Sequence, residues 1–398
     1  MAVLGKPLDA LTEADVQAYV ENGVSEGRTL DYKRTLPGGK DAEKKEFLAD
    51  VTALANAAGG HILYGVEEAG GVAVDVPGVE ASDVDAEILR LDGSIRSGVE
   101  PRIPNVALRA VELANGRHVV VLDVPQSFAR PHMVTFKGTN RFYLRHTAGK
   151  APMTVDEIRT AFSLADSVID RVRRFRLQRL DAIKGRHAPF PMAGAPYVVL
   201  HLLPLAMMDP AHRFDVTSET PYLPPLGYSG GDFRINFDGF ASFRASSEGA
   251  CRAYTQVYHS GAVEAVSTAP FGATQVPPMS GAGPLEEVGL IAPYRIEAEL
   301  HDKATHYLRR QRELGVQVPV LAGLSLIGVR GYQLRTASAM TFDPTPIDRD
   351  DLITAEVLID SYDVPLMRAL RPAVDAIYNA GGERGSRSYD ADGTWISR

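Results

Sequence analysis

The stretch from Ala42 to Glu68 constrains the fold more than any other part of the chain. Phe47, Leu48, Val51, Leu54 and Ala55 recur at the spacing of an amphipathic helix over residues 42–58. Gly59-Gly60 stops that helix, and His61-Ile62-Leu63-Tyr64-Gly65-Val66 follows at once as an apolar strand. A helix that ends on a glycine pair and re-enters as a strand has to lay its apolar stripe on the sheet holding that strand. The acids Glu67 and Glu68 end the strand before a turn at Gly70-Gly71.

The flanking segments extend this unit. Thr12 with Asp15 caps a short helix that Gly23 ends. Residues 28–33 alternate as a half-buried strand, with Leu30 and Tyr32 on the core face and Asp31 and Lys33 on the other. A helix is predicted over 81–95, strands over 106–111 and 118–124 around a turn at Asn115-Gly116, and another strand over 141–145. Thr154 and Glu157 form a capping box that opens a helix through Phe162. Together these predict an α+β domain over residues 10–162, built on a largely antiparallel sheet.

A basic helix is predicted over 166–184, and between residues 170 and 186 Arg171, Arg173, Arg174, Arg176, Arg179, Lys184 and Arg186 stand against Asp170 and Asp181. Pro189, Pro191, Gly194 and Pro196 follow it, so residues 163–196 read as a basic helix and a Pro/Gly linker. Residues 197–380 read as a second α+β domain. Its strands are expected at 198–203, 235–243, 253–258, 263–266 and 322–329, and its helices at 294–314 and 364–379. Residues 267–284 are expected to form a loop and 381–398 a disordered tail, both from Gly-, Ser- and Pro-rich or polar composition.

Composition excludes several function classes. With 45% hydrophobic residues the chain buries a core, and its single cysteine, Cys251, permits neither an internal disulfide nor a Cys-rich zinc site. No apolar run is long enough to span a membrane and no signal segment opens the chain, so a soluble, cytoplasmic protein is expected. A net charge of −8 rules out an overall basic coat but leaves room for a local basic groove. Gly38-Gly39-Lys40 runs into Asp41 and makes no P-loop.

Three acids and a lysine carry the candidate chemistry. Glu26 and Asp31 lie five residues apart, Lys33 shares the strand face of Asp31, and Glu67 ends the strand after the glycine pair. If the two strands are neighbours, these groups meet at one sheet edge. Three carboxylates suit Mg²⁺ or Mn²⁺, and a lysine beside them neutralises charge developing on a phosphate, which implies phosphodiester hydrolysis. Without that convergence they are solvated charges at strand ends. Lys137, Arg141 and Arg145, interleaved with Phe142 and Tyr143, suit single-stranded nucleic acid. Arg171 and Arg174 on the basic helix could track phosphates; alternatively Val172, Phe175, Leu180 and Ile183 pack that helix onto a domain.

The segments Glu26–Lys33, Phe47–Glu68 and Arg141–Arg145 together resemble the AlbA-like Schlafen domain family over residues 10–162. The resemblance implies a nucleic-acid-binding domain. In the Schlafen ribonucleases of animals the positions matching Glu26, Asp31, Lys33 and Glu67 form a metal-dependent endoribonuclease site that cleaves tRNA and rRNA. Here Asp31 and Glu67 stand where the animal enzymes usually carry Glu and Asp. The resemblance thus implies Glu26, Asp31 and Glu67 as ligands of Mg or Mn, and RNA rather than duplex DNA as partner. It also implies a bacterial protein with a place in antiviral or stress defence. Residues 197–398 hold no second acid-x4-acid-x-Lys string, so a homodimer is expected to supply the second wall of a groove. Bacterial members described as DNA- or ATP-binding regulators imply the alternative, a non-catalytic DNA- or nucleotide-binding regulator using the same basic surface.

Overall fold

A computed structural model describes residues 2–3, 6–147, 149–210, 212–217, 223–246, 249–276, 284–335 and 345–396. The chain divides into two compact units, residues 1–168 and 169–398. Both are α+β.

In the N-terminal unit, helix α1 (Glu13–Glu21) precedes strand β1 (Leu30–Lys33), and α2 (Asp41–Asn56) leads into β2 (Gly59–Tyr64). A hairpin of β3 (Glu67–Ala69) and β4 (Val72–Asp75) follows, then α3 (Val84–Gly98), β5 (Ala107–Glu112) and β6 (His118–Pro125). The main sheet runs in the order β1-β2-β6-β5, with β1 parallel to β2 and the other pairs antiparallel. Strands β7 (Arg141–His146) and β8 (Gly149–Pro152) belong to a second, antiparallel sheet with two-residue strands at Met133–Val134 and Val99–Glu100.

The helix, glycine pair and strand have the predicted order for a steric reason. Gly60 has φ +145°, and a Cβ there would lie 2.3 Å from the Thr29 carbonyl oxygen. That same oxygen accepts the His61 amide at 2.8 Å, so the bare glycine lets β1 and β2 approach. Ile62, Tyr64, Val120, Leu122 and Val124 face Phe47, Leu48, Val51 and Leu54 of α2. Tyr32, Leu63, Val119 and Val121 face the other way, onto Leu11, Val16 and Tyr19. Tyr32 therefore points to the α1 side, and the period-two alternation sends Asp31 and Lys33 to the α2 side of the edge strand.

Helix α4 (Val155–Lys184) is continuous, since Ser163-Leu164-Ala165 holds no breaker between the two predicted helices. Its second half belongs to the C-terminal unit, where Val172, Leu180 and Ile183 are buried. The stretch expected as a Pro/Gly linker packs as well. Phe190 is buried against Phe243 and Tyr254, and Cys251 donates its amide to Pro191.

An eight-stranded antiparallel sheet forms the C-terminal unit. Its strands are β9 (Tyr197–Pro204), β10 (Asp232–Asn236), β11 (Gly239–Ala245), β12 (Cys251–Tyr258) and β13 (Val263–Ser267), with β16 (Val320–Ile327), β17 (Asp351–Ile353) and β18 (Val357–Ile359). The single strand expected over 235–243 is a hairpin turning at Phe237-Asp238, because Gly239 supplies φ +145° where any Cβ would meet the Val257 carbonyl. Part of the expected loop 267–284 is strand β14 (Phe271–Val276), paired with β15 (Glu286–Ile291); residues 277–283 lie outside the described residues. Helix α5 (Pro293–Glu299), a π-helical turn at Leu300–Ala304 and α6 (Thr305–Glu313) form one run, and α7 (Leu366–Ala380) closes the core. Residues 381–396, expected as disordered from their composition, fold back instead: Tyr389 is buried in that core and Trp395 packs against it. Residues 397–398 of that tail lie outside the described residues. No helix among the described residues is long and apolar enough to cross a membrane.

Candidate functional site

The edge strand β1 brings Asp31 and Lys33 to one place, as the alternation predicts. Asp31 is 5% exposed. One of its carboxylate oxygens meets Arg145 Nη2 at 2.8 Å and the other Lys33 Nζ at 2.7 Å. Burial opposes its charge, but Arg145 and Lys33 outweigh burial and hold its carboxyl below the usual carboxylate range. Glu26 accepts the Tyr32 amide at 2.7 Å. Its carboxyl is pushed up by burial and by the neighbouring Asp31.

Two further residues join them that sequence reasoning did not place in the site. Asp50 on α2 is buried and pairs with Lys150 of β8 at 2.6 Å. Burial pushes the Asp50 carboxyl up despite that lysine. Lys150 also meets Glu46 at 2.6 Å. Lys33 feels Asp31, Asp50 and Glu26 together, which raises its pKa although burial opposes the charge. The buried Tyr64 hydroxyl is pushed well up, by burial first and then by Asp50 and Asp31. The only sequence signal for Asp50 and Lys150 was an acid on the apolar stripe of α2 and a lysine after Gly149.

Glu67 does not converge with Glu26 and Asp31 in a ligand set. It begins the next hairpin, where Arg34 holds it at 2.7 Å, and it is more than a third exposed. Among the described residues no group of three His, Cys, Asp or Glu side chains is placed to hold a metal ion. The donor chemistry agrees: Asp31 already neutralises two cations, and Glu26 caps a backbone amide. The arrangement does not fit a divalent metal, so no hydrolytic step is derived from it.

The predicted basic residues divide into two groups. Arg145 is buried, and besides Asp31 it donates to the Gly27 and Leu30 carbonyls at 3.1 and 3.2 Å, covering the open edge of β1. Its guanidinium is therefore committed inside the fold. Lys137 and Arg141 are exposed. Lys137 pairs with Asp41 at 2.6 Å, and both partners are at least half exposed, so the pair is weak. Phe136, partly buried, has two cations near its ring, Lys137 Nζ 5.9 Å and Lys44 Nζ 6.0 Å from the centroid. Arg141 pairs in register with Val134, two residues before Phe136.

The basic helix contributes less than its charge count implies. Arg179 is bidentate to the buried Glu264 at 2.9 Å, and Arg176, fully buried, binds Glu356, Ser325 and the Leu324 and Thr354 carbonyls. Lys184 pairs with Asp351. Arg171 and Arg174 are exposed, and among the described residues their side chains hydrogen-bond only to carbonyls, those of Met208 and Asp170.

Residues 26–154 match the family model described as Schlafen, AlbA_2, which bears out the resemblance read from the sequence over that segment. No curated protein matches the chain. Among solved structures, the chain is similar to the DIP2311 protein of Corynebacterium diphtheriae, at 17% identity and a TM-score of 0.24, over 35% of this chain and 26% of that one. The present chain thus spans about a quarter of that relative. It is also similar to the N-terminal domain of a DNA helicase RecG-related protein from Nitrosomonas europaea, at 22% identity and a TM-score of 0.25. That similarity covers 33% of this chain and 83% of the domain.

Proposed function

We propose that the N-terminal unit, carrying the Schlafen AlbA_2 segment at residues 26–154, binds nucleic acid that presents unpaired bases, RNA before duplex DNA. The observation that carries this reading is Phe136 flanked by Lys44 and Lys137, with Arg141 nearby on β7. An aromatic face takes a base of any sequence, and cations beside it take the adjoining phosphates. The weak, exposed Lys137–Asp41 pair can exchange its carboxylate for a phosphate without exposing a buried charge. Lys33, 42% exposed at the rim of the ion network, is a further phosphate contact.

The carboxylates act in this reading as partners that fix Arg145, Lys150 and the edge of β1. This is the regulator alternative, a binding module without cleavage. Metal-dependent cleavage would require Asp31 to leave Arg145 and Glu67 to leave Arg34. A homodimer that adds a second wall to the basic face is compatible with the proposal, and sedimentation with and without RNA measures it.

The test is fluorescence anisotropy of a labelled single-stranded RNA across a salt series. Lys44→Ala with Lys137→Ala should weaken binding about tenfold and flatten the salt slope by about two contacts. Unchanged affinity and slope would remove Phe136 and its cations from the interface.

A further inference from the structure

The C-terminal unit contains a cavity of about 450 Å³ that nothing above uses, within the roughly 300–1,000 Å³ range of small-ligand sites. One wall is an aromatic platform. The His301 ring lies on the Trp395 indole, with centroids 4.3 Å apart and planes 24° from parallel. Trp395 is itself held in place, because its Nε1 donates to the buried Glu297 at 3.2 Å, which also accepts Tyr378 and Ser386. His301 lies in the π-helical turn Leu300–Ala304, an irregularity often found at functional sites.

The rest of the lining has the opposite chemistry. Arg309, Arg312 and Arg368 all border the cavity, with one carboxylate, Asp363, among them. Arg312 shares an exposed pair with Asp363 at 3.2 Å. Arg309 and Arg368 are exposed, and neither guanidinium has an ion-pair or hydrogen-bond partner among the described residues. The buried Leu308, Leu366 and Met367 add an apolar floor to the lining. The first turn of α7, which also lines the cavity, has no side-chain cap and no acid of its own.

We propose that this cavity binds a free nucleoside monophosphate, its base against the His301–Trp395 platform and its phosphate between Arg309 and Arg368. A planar ring and an anion are needed together: the ring alone leaves two arginines unmatched, and the anion alone leaves the rings and the apolar floor unused. A volume of about 450 Å³ is enough for one nucleotide. The site lies within the C-terminal unit and does not depend on the function proposed for the N-terminal one.

Trp395 is the only tryptophan in the chain, so its emission reports on this wall alone. The full chain is dialysed to equilibrium against radiolabelled AMP while Trp395 fluorescence is followed, with adenosine and inorganic phosphate in parallel. Saturable binding of one AMP per chain is expected, with quenched emission, and adenosine and phosphate should each bind at least about tenfold more weakly. Arg309→Ala with Arg368→Ala should weaken AMP by about tenfold or more while leaving the unfolding midpoint in place, since both side chains are exposed. No saturable AMP binding at millimolar concentration would overturn the proposal, as would equal affinity in the double variant. A 5′-phosphorylated oligonucleotide that outcompetes AMP would overturn the free nucleotide in favour of a strand end.

Discussion

Asp31 in the N-terminal unit and Glu264 in the C-terminal unit are both buried carboxylates held by an arginine, yet their surroundings differ. Glu264 is fully enclosed and has four donor contacts: two from Arg179 at 2.9 Å, one from His201 at 3.0 Å and one from the Tyr254 hydroxyl at 2.8 Å. Although burial opposes its charge, Arg179 and His201 bring its carboxyl down to about 2. Asp31 has one buried cation, Arg145, and one that reaches solvent, Lys33. The sealed network is a clamp between α4 and the sheet. The open one ties an edge strand to its neighbours while leaving a cation at the surface, and only there can a phosphate enter.

The largest effect should come from opening the sealed network. Glu264→Ala strands the Arg179 guanidinium without a counter-charge and leaves His201 and the Tyr254 hydroxyl without their acceptor, and should lower stability by about 3–5 kcal/mol in denaturant titrations followed by Trp395 emission. Asp31→Ala should lose less, about 2–3 kcal/mol, because Arg145 keeps two carbonyl acceptors and Lys33 can turn to water. Hydrogen exchange over β1 and β7 measures it. An equal loss at both sites would erase the distinction between them.

Acid should sharpen the same contrast. Both carboxyls lie below their unfolded values, so their stabilisation is complete above pH ~5 and lost as pH falls through the folded values. For Glu264 that window extends down to about 2. Asp50, whose carboxyl is raised, acts in the opposite sense in the N-terminal unit and favours the folded state as it takes up a proton. The C-terminal unit should therefore show the steeper acid loss in circular dichroism and Trp395 emission. Smaller still, Phe136→Ala should weaken RNA binding by about 1–3 kcal/mol in anisotropy titrations, at some cost in stability because the ring is partly buried against the core. The smallest effect should be that of Arg171→Ala with Arg174→Ala, within about 0.5 kcal/mol of wild-type stability in the same denaturant titrations.

What the sequence revealed was mostly short-range. The helix, glycine pair and strand were legible because a stop signal and two periodicities lie within one window, and the shared face of Asp31 and Lys33 followed from alternation alone. Charge counting failed where burial decides. Arg145, Arg176 and Arg179 look alike in sequence to Lys137 and Arg171, but they fill positions on buried faces where carbonyls and carboxylates await them. Asp50 and Lys150 were missed because their pairing joins elements a hundred residues apart. The platform of His301 and Trp395 was missed for the same reason, and because the polar composition of residues 381–396 hid a segment anchored by Tyr389 and Trp395.

The most direct test of the account combines binding and cleavage in one assay. Purified protein is incubated with total tRNA and Mg²⁺ or Mn²⁺, with an EDTA control, beside Asp31→Asn and the Lys44→Ala, Lys137→Ala double variant. The account predicts intact tRNA in every lane, a gel shift retained by Asp31→Asn and a shift weakened about tenfold in the double variant. Metal-dependent fragments that disappear in Asp31→Asn would contradict it and return the carboxylates to catalysis.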